Sequence, residues 1–579
     1  MLGPGLRVLA RAVRDEPGMF TFGVVGSTLF AVMTVSSAYV VGTVVGRVAV
    51  PAFAAHHTDA GALALGAAGI LAVAILKVVG VFGRRLGAGR MQFNLEARYR
   101  RRVTRRYLDL PVAWHQRHAT GTLLSNANAD VEAAWWPIAP FPLAVGAVVM
   151  LVAAVVSLFL VDWVLALVGI GLFPLLFGVN VVFSRAIAPR VTRAQQLRAD
   201  VSAVAHESFD GALVVKTMGR EEAETHRFAR RSEELRDAMI SVGRVRGLFD
   251  PVLDALPSIG TLAVLLVGGL RLRAGAIGIG DVVSVSFLFT VLGFPVTAIG
   301  YLLAELPRSA AGWERVARVL DATGEMDYGA ADRSGTGPAA LRFAGVSYGY
   351  EGGPEVLHEV TFEVPAGRTV ALVGPTGSGK STIASLAVRL VDPASGEVRL
   401  DGRDLRELSS AALARSVALV PQVPFVFDDT VRGNVTLDRD GIADPEVWSA
   451  LRLAQADGFV AALPDSLGTH VGERGATLSG GQRQRLTLSR ALAGRPGILV
   501  LDDATSAVDP RVEAAILDSL RSAGGTVLVI AYRRATIALA DEVVYLEQGR
   551  VVARGAHADL LATVPGYAAL VTAYDEVTA

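Results

Sequence analysis

The chain has 579 residues, 52% of them hydrophobic and 19% charged, with a formal net charge of zero and no cysteine. That length exceeds what one hydrophobic core serves, so at least two domains are expected. The charge balance gives no argument for nucleic acid as a partner, and the missing cysteines exclude disulfides, thiolate catalysis and zinc-thiolate sites. Residues 3–17 read as a short amphipathic lead-in lying on a membrane surface. Six apolar runs long enough to span a bilayer follow, at about 19–48, 61–83, 138–160, 162–184, 248–272 and 281–305. No short apolar segment with a small-residue cleavage site opens the chain, so a removable signal peptide is not expected.

Arginine placement sets the orientation of these spans. Residues 84–117 include Arg84, Arg85, Arg90, Arg98, Arg100, Arg101, Arg102, Arg105, Arg106 and Arg117, and a second cluster runs from Arg185 to Arg231. The connections near 50–60 and 161 carry neither Lys nor Arg. The two long connections and the N-terminus are therefore expected to be cytoplasmic, with Arg271 and Arg273 as a local exception. Spans two to five are expected to continue as helices beyond the bilayer. Trp135, Trp136 and Trp163 read as an interfacial aromatic belt. Asp250 and Asp254, four apart and on one helical face, either line a cavity that favours cationic cargo or pair with Arg244 or Arg246.

Past a Gly/Ser-rich stretch at 334–338, strand-like and helical segments alternate, as in an α/β domain. The apolar strand Val370-Ala371-Leu372-Val373 leads into Gly374-Pro375-Thr376-Gly377-Ser378-Gly379-Lys380-Ser381, followed by Thr382. This is the phosphate-binding P-loop in the strand–loop–helix context that the motif needs. Its backbone N–H groups and the helix N-terminus can cradle phosphates. Lys380 would reach the outer phosphates and Ser381 would hold Mg²⁺. Lysine otherwise occurs only at positions 77 and 216, which sharpens the reading of Lys380. Further on come Leu478-Ser479-Gly480-Gly481-Gln482 and the apolar run Ile498-Leu499-Val500-Leu501 ending in Asp502.

That order of motifs, behind six spans, resembles an ATP-binding-cassette (ABC) half-transporter of the exporter type, and more narrowly the degenerate-site subunit of heterodimeric bacterial exporters. The resemblance covers nearly the whole chain. It implies an all-α six-helix transmembrane domain over 1–310, a linker over 311–338 and an α/β P-loop NTPase domain over 339–579. It makes Tyr350 the aromatic that stacks on adenine and Gln422 the glutamine that senses Mg²⁺. Asp502 becomes the Walker B carboxylate, and Ser381, Gln422 and Asp502 become the Mg²⁺ set. Ser479, Gly480, Gly481 and Gln482 become the signature that caps nucleotide bound to the opposing domain. Asp509 falls in the D-loop, and Glu473 in a contact to the coupling helices. The segments 110–121 and 211–221 resemble those coupling helices; the alternative is ordinary solvated Arg-rich loops.

Two positions depart from the family pattern. Asp503 stands where the catalytic Glu is expected, and Tyr532 where the switch His is expected. The shorter Asp side chain sets its carboxylate roughly 1–1.5 Å further from the water, and a misplacement of about 1 Å can cost on the order of a hundredfold in rate. Tyr532 keeps a hydroxyl donor but has no imidazole. The resemblance therefore implies ATP binding with weak hydrolysis at this chain's own site. It also implies a second ABC half-transporter as partner, one that carries Glu and His and whose site this chain's signature completes. Alternatives are a slow homodimeric exporter, a non-hydrolysing regulatory subunit and an importer on the exporter fold. The implied setting is the inner (plasma) membrane with the ATPase domain in the cytoplasm. The transported substrate is not named by any motif.

Overall fold

The computed structural model describes residues 2–578 apart from 57, 58, 292, 334, 336 and 351, and omits the side chains of 2, 55, 172, 173, 176, 177, 253, 254 and 574–578. It forms two compact units, Met1–Leu108 with Thr120–Ala322, and Asp109–Ala119 with Thr323–Ala579.

The first unit is helical. Its principal helices are α1 (Leu2–Asp15), α2 (Pro17–Val44), α3 (Ala60–Asp109), α4 (Phe141–Val161), α5 (Trp163–Asp210), α6 (Ala212–Thr217), α7 (Glu221–Arg273), α8 (Ile279–Val291) and α9 (Gly293–Leu320). Among the described residues, five helical stretches are long and apolar enough to cross a membrane: Pro17–Ala54, Ala60–Asp109, Thr120–Val161, Glu221–Arg273 and Ile279–Leu320. The run expected at 162–184 falls in α5, where the side chains of 172, 173, 176 and 177 lie outside the described residues. At 50, 48 and 53 residues, α3, α5 and α7 are each far longer than a bilayer requires.

Small residues let α2 and α3 approach backbone to backbone. A Cβ on Gly26 would come 2.5 Å from Arg84 N, and one on Gly87 would come 2.7 Å from Gly23 Cα. In a bilayer, where lipid is as apolar as leucine, such close packing replaces the hydrophobic drive.

The local exception in Arg placement has a structural reason. Arg271 donates to Asp162 Oδ2 through Nη2 (2.6 Å) and Nε (3.1 Å). Asp162 Oδ1 accepts from Val164 N at 2.9 Å and Leu165 N at 3.2 Å, capping α5. The charge is thus neutralised at the α4–α5 turn, with every bond of the buried carboxylate satisfied. Trp135 departs from the expected aromatic belt: it is fully buried, 4.8 Å from Tyr99 and 5.6 Å from Trp313 between ring centroids. Trp136 and Trp163 are exposed as a belt requires. Asp250 is exposed, and the Asp254 side chain lies outside the described residues.

Helix α9 continues to Leu320, so the stretch expected as a linker from 311 begins in helix. The reason is tertiary. Ser309 Oγ donates to Ala134 O at 2.6 Å, Arg315 Nη2 pairs with Asp130 Oδ1 at 2.5 Å, and Val316 and Val319 are buried.

The second unit is α/β. Its strands are β1 (Leu341–Gly349), β2 (Glu355–Val364), β3 (Thr369–Val373), β4 (Ser395–Leu400), β5 (Arg403–Asp404), β6 (Val417–Val420), β7 (Ile498–Asp502), β8 (Thr526–Ile530), β9 (Glu542–Glu547) and β10 (Arg550–Gly555). One sheet has the antiparallel order β2-β1-β4-β5; the other has the order β10-β9-β3-β8-β7-β6, parallel except at β10. Strand β3 is central and buried throughout, as parallel sheets covered on both faces require. Its side chains alternate between two cores, Ala371 and Val373 in one, Val370 and Leu372 in the other. The helices that matter for the site are α10 (Lys380–Ala387), α11 (Gly480–Ala493) and α12 (Pro510–Ser522).

The short helix Val112–Gln116 belongs to this second unit. Pro111 and Ala113 line a cleft with Tyr348, Arg389, Asp392 and Arg406. The other expected coupling segment forms α6 in the first unit, where Leu213, Val214 and the capping Met218 just past its end are 76%, 61% and 69% exposed.

Candidate functional site

Parallel sheet order sets the site. Strands β3, β7 and β8 end side by side, with Asp502 in register with Ile530, so their carboxyl ends and the loops beyond them share one edge. The P-loop turns from β3 into α10 there. Two of its glycines have positive φ, Gly377 at 83° and Gly379 at 99°, a region that a side chain strains. Gly374 has no room for a Cβ, which would collide with Leu546 O.

Lys380 opens α10 and is buried. Its Nζ donates to Gly374 O and Pro375 O, both at 2.8 Å, and lies 3.5 Å from Ser378 Oγ. It also sits 4.9 Å from the centroid of the Tyr532 ring. Burial pulls the Lys380 ammonium down from 10.5 to about 8, against the opposing pull of Asp502 and Asp503. Ser381 Oγ donates to Asp502 Oδ1 at 3.2 Å. The hydroxyls of Tyr350 and Thr382 are 3.1 Å apart. Tyr350 is 44% exposed, which leaves room for stacking.

Gln422 Nε2 donates to Asp503 Oδ2 at 3.0 Å, bringing the loop after β6 to the end of β7. Asp503 has φ of 48°, a left-handed conformation uncommon outside glycine. Burial raises both Asp502 and Asp503 above the usual carboxylate range, opposed by Ser381 and Lys380 at Asp502 and by Gln422 at Asp503. Burial first, and then Asp503 and Asp502, push the Tyr532 phenol up to about 12. Tyr532 is therefore a protonated donor at neutral pH, whereas a histidine there would titrate close to it.

The structure thus gathers Tyr350, the P-loop, Thr382, Gln422, Asp502, Asp503 and Tyr532 at one sheet edge. The oxygens of Ser381 and Asp502, with the Gln422 amide nearby, form a hard donor set of the kind Mg²⁺ takes alongside phosphate oxygens.

Ser479–Gln482 form a separate constellation. Ser479 caps α11: its Oγ accepts from Gln482 N at 3.3 Å, while Gln482 Oε1 accepts from Ser479 N at 2.8 Å. Gly480 and Gly481 lie against the loop after β7; a Cβ on Gly481 would fall 2.7 Å from Ala507 O. An exposed helix N-terminus of this kind presents N–H donors suited to an anion. Glu473 is exposed on a short turn just before it. Asp509 caps α12, accepting from Arg511 N at 2.8 Å.

Gln484, Glu513 and Arg533 also hold this region and were not singled out from sequence. Gln484 reaches Ser506 Oγ and Ala507 N, both at 2.9 Å. Buried Glu513 collects Thr505, Thr536 and Arg533. The one sequence signal was an acidic residue in the first turn of a helix, which the helix dipole alone accounts for.

Known proteins match over both units. The description "ABC transporter transmembrane region" fits residues 20–296, and "ABC transporter" fits residues 357–506. A multidrug efflux ATP-binding/permease protein of Mycobacterium tuberculosis is 33% identical over 537 residues, covering 92% of this chain and 45% of that protein. The chain thus spans about half the length of that relative. The ATP-dependent lipid A-core flippase of Salmonella typhimurium is 34% identical over 485 residues, covering 81% of this chain and 82% of the flippase. The solved structure of a bacterial Atm1-family ABC exporter with ATP bound superposes with a TM-score of 0.77 at 28% identity, covering 95% of this chain and 98% of that one. This chain belongs to the ABC transporter family, with a membrane region joined to an ATP-binding domain.

Proposed function

We propose that this chain is one half of an ATP-driven exporter in which its own ATP site is degenerate and its signature serves the site of a partner. The observation that carries the reading is the contrast between two faces of one domain. Asp503 and Tyr532 replace the Glu and His of the family pattern at the sheet edge. The stretch Leu478–Gln482 keeps the full signature at the capped start of α11.

In this reading Tyr350 stacks on adenine, and the P-loop backbone with Lys380 holds the phosphates. Ser381, Asp502 and Gln422 would hold Mg²⁺, which when bound would supply positive charge to offset that of the phosphates. Asp503 is the group that would orient the attacking water. It is one methylene short, and Tyr532 offers a donor without the imidazole. Phosphoryl transfer depends almost wholly on positioning, so ATP is held and cleaved slowly.

The apolar helices support a membrane setting, and the Arg-rich extensions of α3, α5 and α7 support a cytoplasmic ATPase unit. Grouping of Asp109–Ala119 with the ATPase unit supports a coupling role for that segment. The exposed apolar side chains of α6 support the same role for the second segment. Two departures in one chain favour a heterodimer, because a homodimer would then have no competent site.

The test is affinity purification of the tagged chain from its native membrane. The reading expects a second six-span ATPase at equal stoichiometry, with Glu and His at the positions matching 503 and 532. Recovery of a homodimer that hydrolyses ATP at ordinary exporter rates would overturn it.

A further inference from the structure

We infer that Glu513 and Arg533 are positioning residues: they clamp the loop Thr505–Val508 so that the signature at Ser479 follows the segment carrying Tyr532. The inference rests on the reading above that this signature serves another domain's site.

The loop is held from two sides. On one side stands α11, whose first residues carry the signature. From its second turn, Gln484 donates to Ser506 Oγ and accepts from Ala507 N, each at 2.9 Å. Gly481 packs against Ala507 O so closely that a methyl group would not fit. On the other side stands the segment that begins at Tyr532. Arg533 Nη2 donates to Ser506 O at 2.7 Å, and Nη1 donates to Val508 O at 3.0 Å. Three consecutive residues thus have backbone polar groups satisfied by side chains of two different elements.

Glu513 locks the arrangement. It is 6% exposed. Its Oε2 accepts from Arg533 Nη1 at 2.5 Å, and its Oε1 accepts from Thr505 Oγ1 at 2.8 Å and Thr536 Oγ1 at 2.6 Å. One carboxylate therefore bonds both the loop and the segment after Tyr532. Arg533 is chain neighbour to Tyr532, whose ring faces the Lys380 ammonium. The contacts run without a break from the phosphate-binding lysine, through Tyr532 and Arg533, to Ser506–Val508, Gln484 and the signature. A shift of the Tyr532 segment cannot leave the signature behind without breaking these bonds.

The experiment uses the complex as isolated from membranes. Arg533→Ala is expected to lower kcat for ATP about tenfold or more, with KM within about twofold and ATP retention on this chain unchanged. Arg533→Lys keeps the charge but not the fork that reaches two carbonyls, so it should rescue little. Glu513→Gln keeps an acceptor for the threonines and should fall between. Gln484→Ala cuts the loop from the other side. If both sides act in series, Gln484→Ala and Arg533→Ala combined should cost little more than the worse single change.

Unchanged kcat in folded Arg533→Ala overturns the inference. So does additivity of the two changes, or loss of ATP retention in step with kcat, which would mark a merely structural role. If the chain isolates as a homodimer, the heterodimer reading fails, yet the same cycle on homodimer turnover still decides the clamp.

Discussion

Around Lys380 two side chains depart from what phosphoryl transfer calls for; around Ser479 none do. Both faces belong to one α/β unit with shared cores, so the difference does not come from a weakened fold. The P-loop keeps its glycines, its lysine and a Ser381–Asp502 bond of 3.2 Å. In the proposed reading the loss is confined to Asp503 and Tyr532, the groups that would orient water and sense phosphate. The signature face, in contrast, is tied down by Gln484, Arg533 and Glu513 through bonds of 2.5 to 3.0 Å. In the proposed reading, a domain loses hydrolysis at its own site and still presents a complete surface to another.

The largest expected effect comes from spoiling the complete face. Ser479→Arg in the assembled complex removes the cap of α11 and fills the anion-binding end of the helix. Steady-state ATP turnover should fall on the order of a hundredfold, as when one donor aimed at developing charge is lost. A loss below threefold would break the comparison.

Repairing the poor face should be the next largest effect. Asp503→Glu with Tyr532→His restores reach and an imidazole. Single-turnover hydrolysis at this chain's own site should rise about tenfold or more, given the cost of a 1 Å misplacement. No gain would mean that the left-handed backbone at Asp503, not side-chain length, limits the site.

Lys380→Met sharpens the contrast. Binding of a fluorescent ATP analogue at this chain's own site should be lost, while complex turnover falls only about fivefold, the lower end of ordinary coupling between sites. A loss matching that of Ser479→Arg would place catalysis at both sites alike.

The smallest effect is in pH. Lys380 sits at about 8 in the folded chain, against 10.5 unperturbed. Phosphate favours the charged form, so ATP binding at pH 8.5 should take up protons, and calorimetry in buffers of different ionisation enthalpy reads this directly. Affinity should weaken as pH rises from 7 to 9, by less than about tenfold per unit. For stability the sign is opposite. Below about 8 both folded and unfolded lysine are charged and the burial cost is fully present; it is relieved as pH rises from about 8 towards 10.5.

Much of this was legible in the chain because it is local. A P-loop needs its glycines within eight residues, a buried parallel strand is a short apolar run, and a membrane helix is a long one. What escaped is long-range. Arg271 could not be matched to Asp162, 109 positions away, by any local pattern. Trp135 reads as an interfacial tryptophan until Tyr99 and Trp313 are placed on it. The extra helical turns past 311 depend on Asp130 and Ala134, which α9 meets only in the folded unit. Glu513 and Arg533 follow the same rule: each looks like surface charge until the loop between them is built.

The central claim is that this chain holds ATP without readily cleaving it while its complex turns over. The direct measurement is to photo-crosslink an α-labelled azido-ATP during steady-state hydrolysis and identify the nucleotide on each chain. The account predicts triphosphate on this chain and diphosphate on its partner. Diphosphate on this chain, formed at the rate of overall turnover, would contradict it.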